Sequence, residues 1–233
     1  MDLRPDLTDT ARALERLPSN AGGRTIMVIG AKPGEGASSV SASLALLLAS
    51  RSANSTWLLD LSLIDNHQFR TFQAKRFPRL GLPGRALDAS LKTRQFYKVV
   101  PQLKSVDGRT QASQRLLSVH RVENSNLMVT QFRNEFLKPG QKVQIRSSPE
   151  YWTALKSVCD WAVIDAPPIN TSTAALAVTR YVDGVILVVQ ADRTQVGEVN
   201  ALRDEIEAHG GNVLGVVANR VKSDARLADR IVG

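Results

Sequence analysis

Five apolar runs that do not alternate with polar residues constrain this chain more than any other feature. They are Thr25 to Gly30, Thr56 to Leu61, Trp161 to Asp165, Val182 to Gln190 and Val213 to Val221. A strand with one face in water alternates apolar and polar side chains, whereas a short continuous run is buried on both faces. Ser38 to Ser50 and Val196 to His209 lie between these runs and read as helices. Buried strands alternating with helices predict an α/β fold with a doubly wound, mostly parallel sheet.

The chain has 233 residues, enough for one such domain and too few for two of full size. Leu7, Ala11, Leu14 and Leu17 recur at helical spacing before Pro18, Asn20, Gly22 and Gly23 break the pattern. Residues 1–23 are therefore expected to form an N-terminal helix and linker, and residues 24–233 the main domain. Within it, residues 66–149 read as an insertion of small helices, one further strand and long loops. Leu44 to Ala49 is far short of the roughly 20 apolar residues that a membrane-crossing helix needs. The start of the chain, with Asp2, Arg4 and Asp6, does not read as a secretory signal. A lone Cys159 leaves no internal disulfide, and the expected location is the cytoplasm.

The formal net charge of +8 is regional. Between His67 and Ser147 stand 16 Lys or Arg against 4 Asp or Glu, so this stretch carries +12 and the remainder −4. Such a patch attracts nucleic acid, anionic lipid or an acidic protein, and charge alone does not choose among them. The stretch shows no helix-turn-helix or zinc-finger spacing and few aromatic residues, so nucleic acid is not the expected partner.

Gly30 to Ser39 (GAKPGEGASS) follows the first strand and opens a helix. Glycines there let backbone N–H groups turn toward an anion, and the helix N-terminus adds partial positive charge. Lys32, Pro33, Gly34, Glu35, Gly36, Ala37, Ser38 and Ser39 are thus candidates for holding phosphates. The pattern G-x-x-x-x-G-K-[ST] places a lysine where this chain has Ala37, and Ser38 supplies the hydroxyl for a metal. Asp60 and Asp165 each end an apolar strand. A carboxylate there can cap a loop, but two at strand ends beside a phosphate loop point to magnesium, with Ser38 as third ligand. The spacing of His67, His120 and His209 offers no zinc site.

Ala31 to Ser38 resembles the A-x-P-G-E-G-K-[ST] loop of the bacterial tyrosine kinases (BY-kinases) that serve polysaccharide export, with the lysine gone, and Ser43-Leu44-Ala45 is similar to the N-L-A that follows it there. Thr56 to Asn66 resembles their D-x-D-L-R-R-P motif with Asp60 in place, Ser62 for the second acid, and Ile64 and Asp65 for the arginines. Cys159 to Ile169 (CDWAVIDAPPI) is similar to their Walker B strand through Asp165, and Leu214 to Val221 to the last strand, which carries Asn219-Arg220. The resemblance implies a P-loop NTPase fold of the deviant Walker A type, ATP or ADP with Mg2+ if any nucleotide binds, and adenine contact at Asn219 and Arg220. It also implies docking on the cytoplasmic end of a membrane-anchored polysaccharide chain-length regulator, with recruitment to the inner membrane, and homo-oligomer formation.

Several departures bear on activity. Tyr97, Tyr151 and Tyr181 are the only tyrosines, so the tail has no acceptor cluster, and the first helix lacks the E-x-x-R-x-x-R of ring-forming relatives. The expectation is a degenerate member, a pseudokinase without assigned catalytic residues, supporting capsule, exopolysaccharide or adhesin synthesis and export. Two alternatives stand beside it: an active ATPase or tyrosine kinase in which Lys32 compensates for Ala37, and a partitioning-type ATPase that binds DNA or membrane.

Overall fold

The apolar runs form five adjacent parallel strands of a mixed sheet in this computed structural model, which describes residues 2–18, 22–101 and 116–221; the last run, Val213 to Val221, supplies an edge strand and is not buried on both faces as its sequence predicts. The helices are α1 (Thr8–Glu15), α2 (Ala37–Ala49), α3 (His67–Gln73), α4 (Pro149–Val158), α5 (Ala174–Val178) and α6 (Val196–Ala208). The first strands are β1 (Arg24–Gly30), β2 (Thr56–Asp60), β3 (Pro83–Asp88), β4 (Tyr97–Val100) and β5 (Leu117–Val122). They are followed by β6 (Leu127–Phe132), β7 (Lys142–Ile145), β8 (Trp161–Ala166), β9 (Gly184–Gln190) and β10 (Val213–Asn219). One sheet has the order β10-β9-β1-β8-β2-β6-β5-β3, and β4 pairs with β7 separately. From β10 to β6 the strands are parallel, while β5 runs antiparallel to both of its neighbours, β6 and β3.

Helices cover both faces, as continuous apolar strands require. Leu14 of α1, Leu44 of α2 and Phe72 of α3 share one core, and Trp152 of α4, Ala175 of α5 and Leu202 of α6 share the other. The P-loop type of α/β sheet expected from the sequence is therefore present, with strand ends within two residues of the apolar runs.

Residues 66–149 differ from expectation: their described residues hold five strands, β3 to β7, rather than one. Only β6 continues the parallel set, through pairing with β2. The others escape an apolar-run criterion because they are short or polar. β3 is an edge strand exposed along most of its length, and β4 and β7 have four residues each. In β5 the buried His120 is accommodated by Gly84 O at 2.8 Å and by Ser118 Oγ. Helix α4, which the apolar runs do not mark, starts with Pro149 in its first turn, where proline's missing N–H costs nothing. Phe96 packs against Tyr97, Tyr151 and Trp152, which fixes the β4–β7 ladder to the core. Linker residues 19–21, residues 102–115 of the insertion, and the tail from Lys222 onward lie outside the described residues.

Candidate phosphate and cation site

β1, β8 and β2 are parallel neighbours, so their C-terminal ends bring the glycine loop, Asp165 and Asp60 to one edge. Gly34 and Gly36 have φ of 87° and 91°, in the left-handed region that glycine tolerates without strain. A Cβ on Gly36 would stand 2.2 Å from Asn219 Nδ2, so a second constraint keeps this position bare. At Gly34 a Cβ would meet nothing within 4 Å, so glycine serves the turn alone.

The loop is tied from within. Glu35 is 4% exposed; its Oε2 accepts the Lys32 N–H at 2.8 Å, and its Oε1 accepts Thr194 Oγ1. Asn219 Nδ2 donates to Glu35 O at 2.8 Å, and Asn219 Oδ1 accepts the Arg220 N–H. These bonds fasten the end of β10 to the loop. Arg220 itself is exposed and reaches toward Gln190. Lys32 points to α6: its Nζ lies 2.6 Å from Glu198 Oε1. Pro33 is exposed, while Ala37, Ser38 and Ser39 are half-buried at the start of α2.

Asp60 and Asp165 are register partners, each 4% exposed. Asp60 accepts the backbone N–H of Ser62 at 2.9 Å and of Gln68 at 3.0 Å. Asp165 accepts Gln68 Nε2 at 2.6 Å and Ser41 Oγ at 3.0 Å, and the nearby Ser38 hydroxyl also favours its charged form. Gln68 Nε2 donates in addition to Ser38 O at 2.9 Å. Burial, then the Asp165 charge, pushes the Asp60 carboxyl up to about 7. Burial raises Asp165 as well, against hydrogen bonds led by that from Gln68.

The structure thus brings Ser38, Asp60 and Asp165 together and adds two residues that spacing did not reveal, Gln68 and Ser41. Ser41 follows Ser38 by three residues on one helix, a legible signal. Gln68 has none, because the path of residues 61–66 decides where it lands.

Magnesium binds through oxygen, with one or two carboxylates plus water or phosphate. Among the described residues no three His, Cys, Asp or Glu side chains cluster, so two carboxylates and neutral oxygens are what the site offers. Gln68 Oε1 is buried without a donor, a vacant acceptor beside two acids. That donor set fits a small hard cation once Gln68 Nε2 releases Asp165. For phosphate the backbone frame fits, and the charge is deficient, with Ala37 in the loop and Lys32 paired elsewhere.

No family model matches the chain. It is similar to tyrosine-protein kinase CpsD of Streptococcus agalactiae serotype III (strain NEM316), with 35% identity over 68 residues, 29% of each chain. Putative tyrosine-protein kinase CapB of Staphylococcus aureus is 32% identical over 107 residues, 45% of each chain. The matches therefore span less than half the length of these relatives. The VpsO kinase domain superposes with a TM-score of 0.57 at 21% identity, over 94% of each chain. A nucleotide-binding protein from Archaeoglobus fulgidus, solved with ADP, gives 0.50 at 17% identity over 90% of this chain and 78% of that one. At these identities the structural likenesses show the fold.

Proposed function

We propose that the chain is a member of the bacterial tyrosine kinase family, two relatives of which it matches at 35% and 32% identity over 29% and 45% of its length, and that it supports envelope polysaccharide synthesis and export through a nucleotide site of reduced charge. The single observation that carries this reading is Ala37 in an otherwise complete loop, with Ser38, Asp60 and Asp165 gathered beneath it. Gly34, Gly36 and the start of α2 would hold the phosphates, and Ser38 with the two aspartates would hold Mg2+, assisted by Gln68 Oε1. When bound, that cation neutralises charge between the terminal phosphates. Phosphoryl transfer depends mostly on positioning and charge neutralisation, so losing the lysine is expected to leave a binding or regulatory domain and little chemistry. Docking on the cytoplasmic end of a membrane-anchored chain-length regulator, and self-association, belong to the same proposal.

An active kinase in which Lys32 replaces the missing lysine is opposed by the Lys32–Glu198 ion pair. Acceptors for autophosphorylation are also poorly placed. Tyr97 and Tyr151 are fully buried, and the Tyr181 hydroxyl is bonded to Ser147 Oγ.

Calorimetric titration of ATP and ADP with Mg2+ into wild type and Ala37→Lys tests the reading. A regained hydrogen bond to a charged group is worth about 1.5–3 kcal/mol, roughly a 10- to 150-fold gain in affinity for the variant. Micromolar binding by wild type, unchanged in Ala37→Lys, would refute it.

A further inference from the structure

Residues 89–101 and 136–149 hold six Lys or Arg and no Asp or Glu. The fold joins these two stretches through the β4–β7 ladder, with Lys98 opposite Gln144 and Val100 opposite Lys142. Pairing continues beyond the strands: the Arg146 N–H donates to Phe96 O at 2.8 Å, and Ser148 Oγ donates to Arg94 O. Tyr97, Val99, Val143 and Ile145 pack on the core side. The other side carries Lys98 and Lys142; the alternation stops there, since Phe96 is buried in the core, and beyond it Arg94 is exposed.

Among the described residues none of Lys92, Arg94, Lys98, Lys138, Lys142 and Arg146 forms an ion pair, although Lys32, Arg51 and Lys156 do elsewhere. Burial, and then the neighbouring Arg94, lowers the Arg146 guanidinium from its ordinary value, with Glu150 opposing. Lys98 faces Gln144 and Lys142 faces Val100, so pairing within the ladder does not explain why these cations are gathered.

We propose that this strip binds the anionic phospholipid headgroups of a membrane surface. A shallow two-stranded ladder with flexible cations suits a plane of phosphates. Stacking of single-stranded nucleic acid is disfavoured, since Phe96 and Tyr97 are sealed at 0% exposure. The inference goes beyond the nucleotide reading, and the substitutions below leave the loop and the acid pair untouched, so the two can fail separately.

The test is co-sedimentation of the full chain with vesicles of phosphatidylcholine plus phosphatidylglycerol, against phosphatidylcholine alone. Binding is expected only with the anionic vesicles and is expected to fall with salt. Each charge removed weakens it about five-fold, so Lys98→Gln/Lys142→Gln loses roughly 25-fold. Arg12→Gln/Arg203→Gln, which removes the same charge elsewhere, should change it far less. Circular dichroism checks that both double variants are folded. Equal binding to neutral vesicles, equal losses in the two double variants, or capture by duplex DNA in place of vesicles would each overturn the assignment.

Discussion

Gln68 donates through one amide nitrogen to Ser38 O and Asp165 Oδ2, and through its backbone N–H to Asp60. One residue of α3 therefore holds the start of α2 and both carboxylates in a single network. Removing a donor from a buried charge leaves that charge less compensated. Gln68→Ala is expected to lower the unfolding free energy by about 1.5–3 kcal/mol in metal-free buffer. Burial raises the Asp165 carboxyl from its ordinary value, so as pH falls that group takes up its proton sooner and needs the donor less. The urea-unfolding deficit of the variant should accordingly be larger at pH 8 than at pH 5, whereas a residue that only fills space would show the same deficit at both. Strand-end position in the sequence was enough to nominate Asp60 and Asp165. It could not nominate Gln68, whose place beside them is set by a loop and not by any repeat.

The elements divide by how they are buried. β1, β2, β8 and β9 were legible because strands covered on both faces need unbroken apolar runs, and the parallel sheet follows from them; β10 has a similarly apolar sequence but is an edge strand without a buried residue, and its Val216 is 51% exposed. β3, β4, β5 and β7 were not, because antiparallel and edge strands tolerate polar residues, and Arg85, Lys98, His120 and Lys142 interrupt any run. Helix α1 was legible from Leu7, Ala11 and Leu14, which are 3%, 0% and 3% exposed. Its docking rests on those side chains and Leu3, on the Leu3 N–H bond to Ser43 Oγ in α2, and on the half-exposed Glu15–Arg51 ion pair at its end. Leu14→Ala should cost about 2–4 kcal/mol if α1 unfolds together with the sheet. An unchanged urea midpoint would show that α1 detaches before the domain unfolds and adds nothing to its stability.

For the whole molecule the acid pair sets how stability depends on pH. A carboxyl whose folded value lies above its unfolded value binds more protons in the folded state, so its stabilising contribution is present in acid and lost as pH rises toward the folded value. Asp60 moves from the ordinary carboxylate range up to about 7, and Asp165 moves in the same direction, so the window runs from about pH 4 to about pH 7. This is opposite in sign to a surface carboxylate in an ion pair, such as Glu198 beside Lys32, whose carboxyl is held below its ordinary range. In metal-free buffer the unfolding free energy should therefore fall between pH 5 and pH 8, at up to about 1.4 kcal/mol per pH unit for each proton released. Asp60→Asn abolishes the repulsion between the two carboxylates and should flatten that slope, whatever it does to absolute stability. Magnesium, which binds the deprotonated pair, should raise the wild-type midpoint at pH 8 more than at pH 5, while sodium chloride of equal ionic strength should not. A midpoint that rises from pH 5 to pH 8 in wild type would mean that the two aspartates are ionised and solvated in the folded protein, and the site would then have to be rebuilt around a charged, open pair.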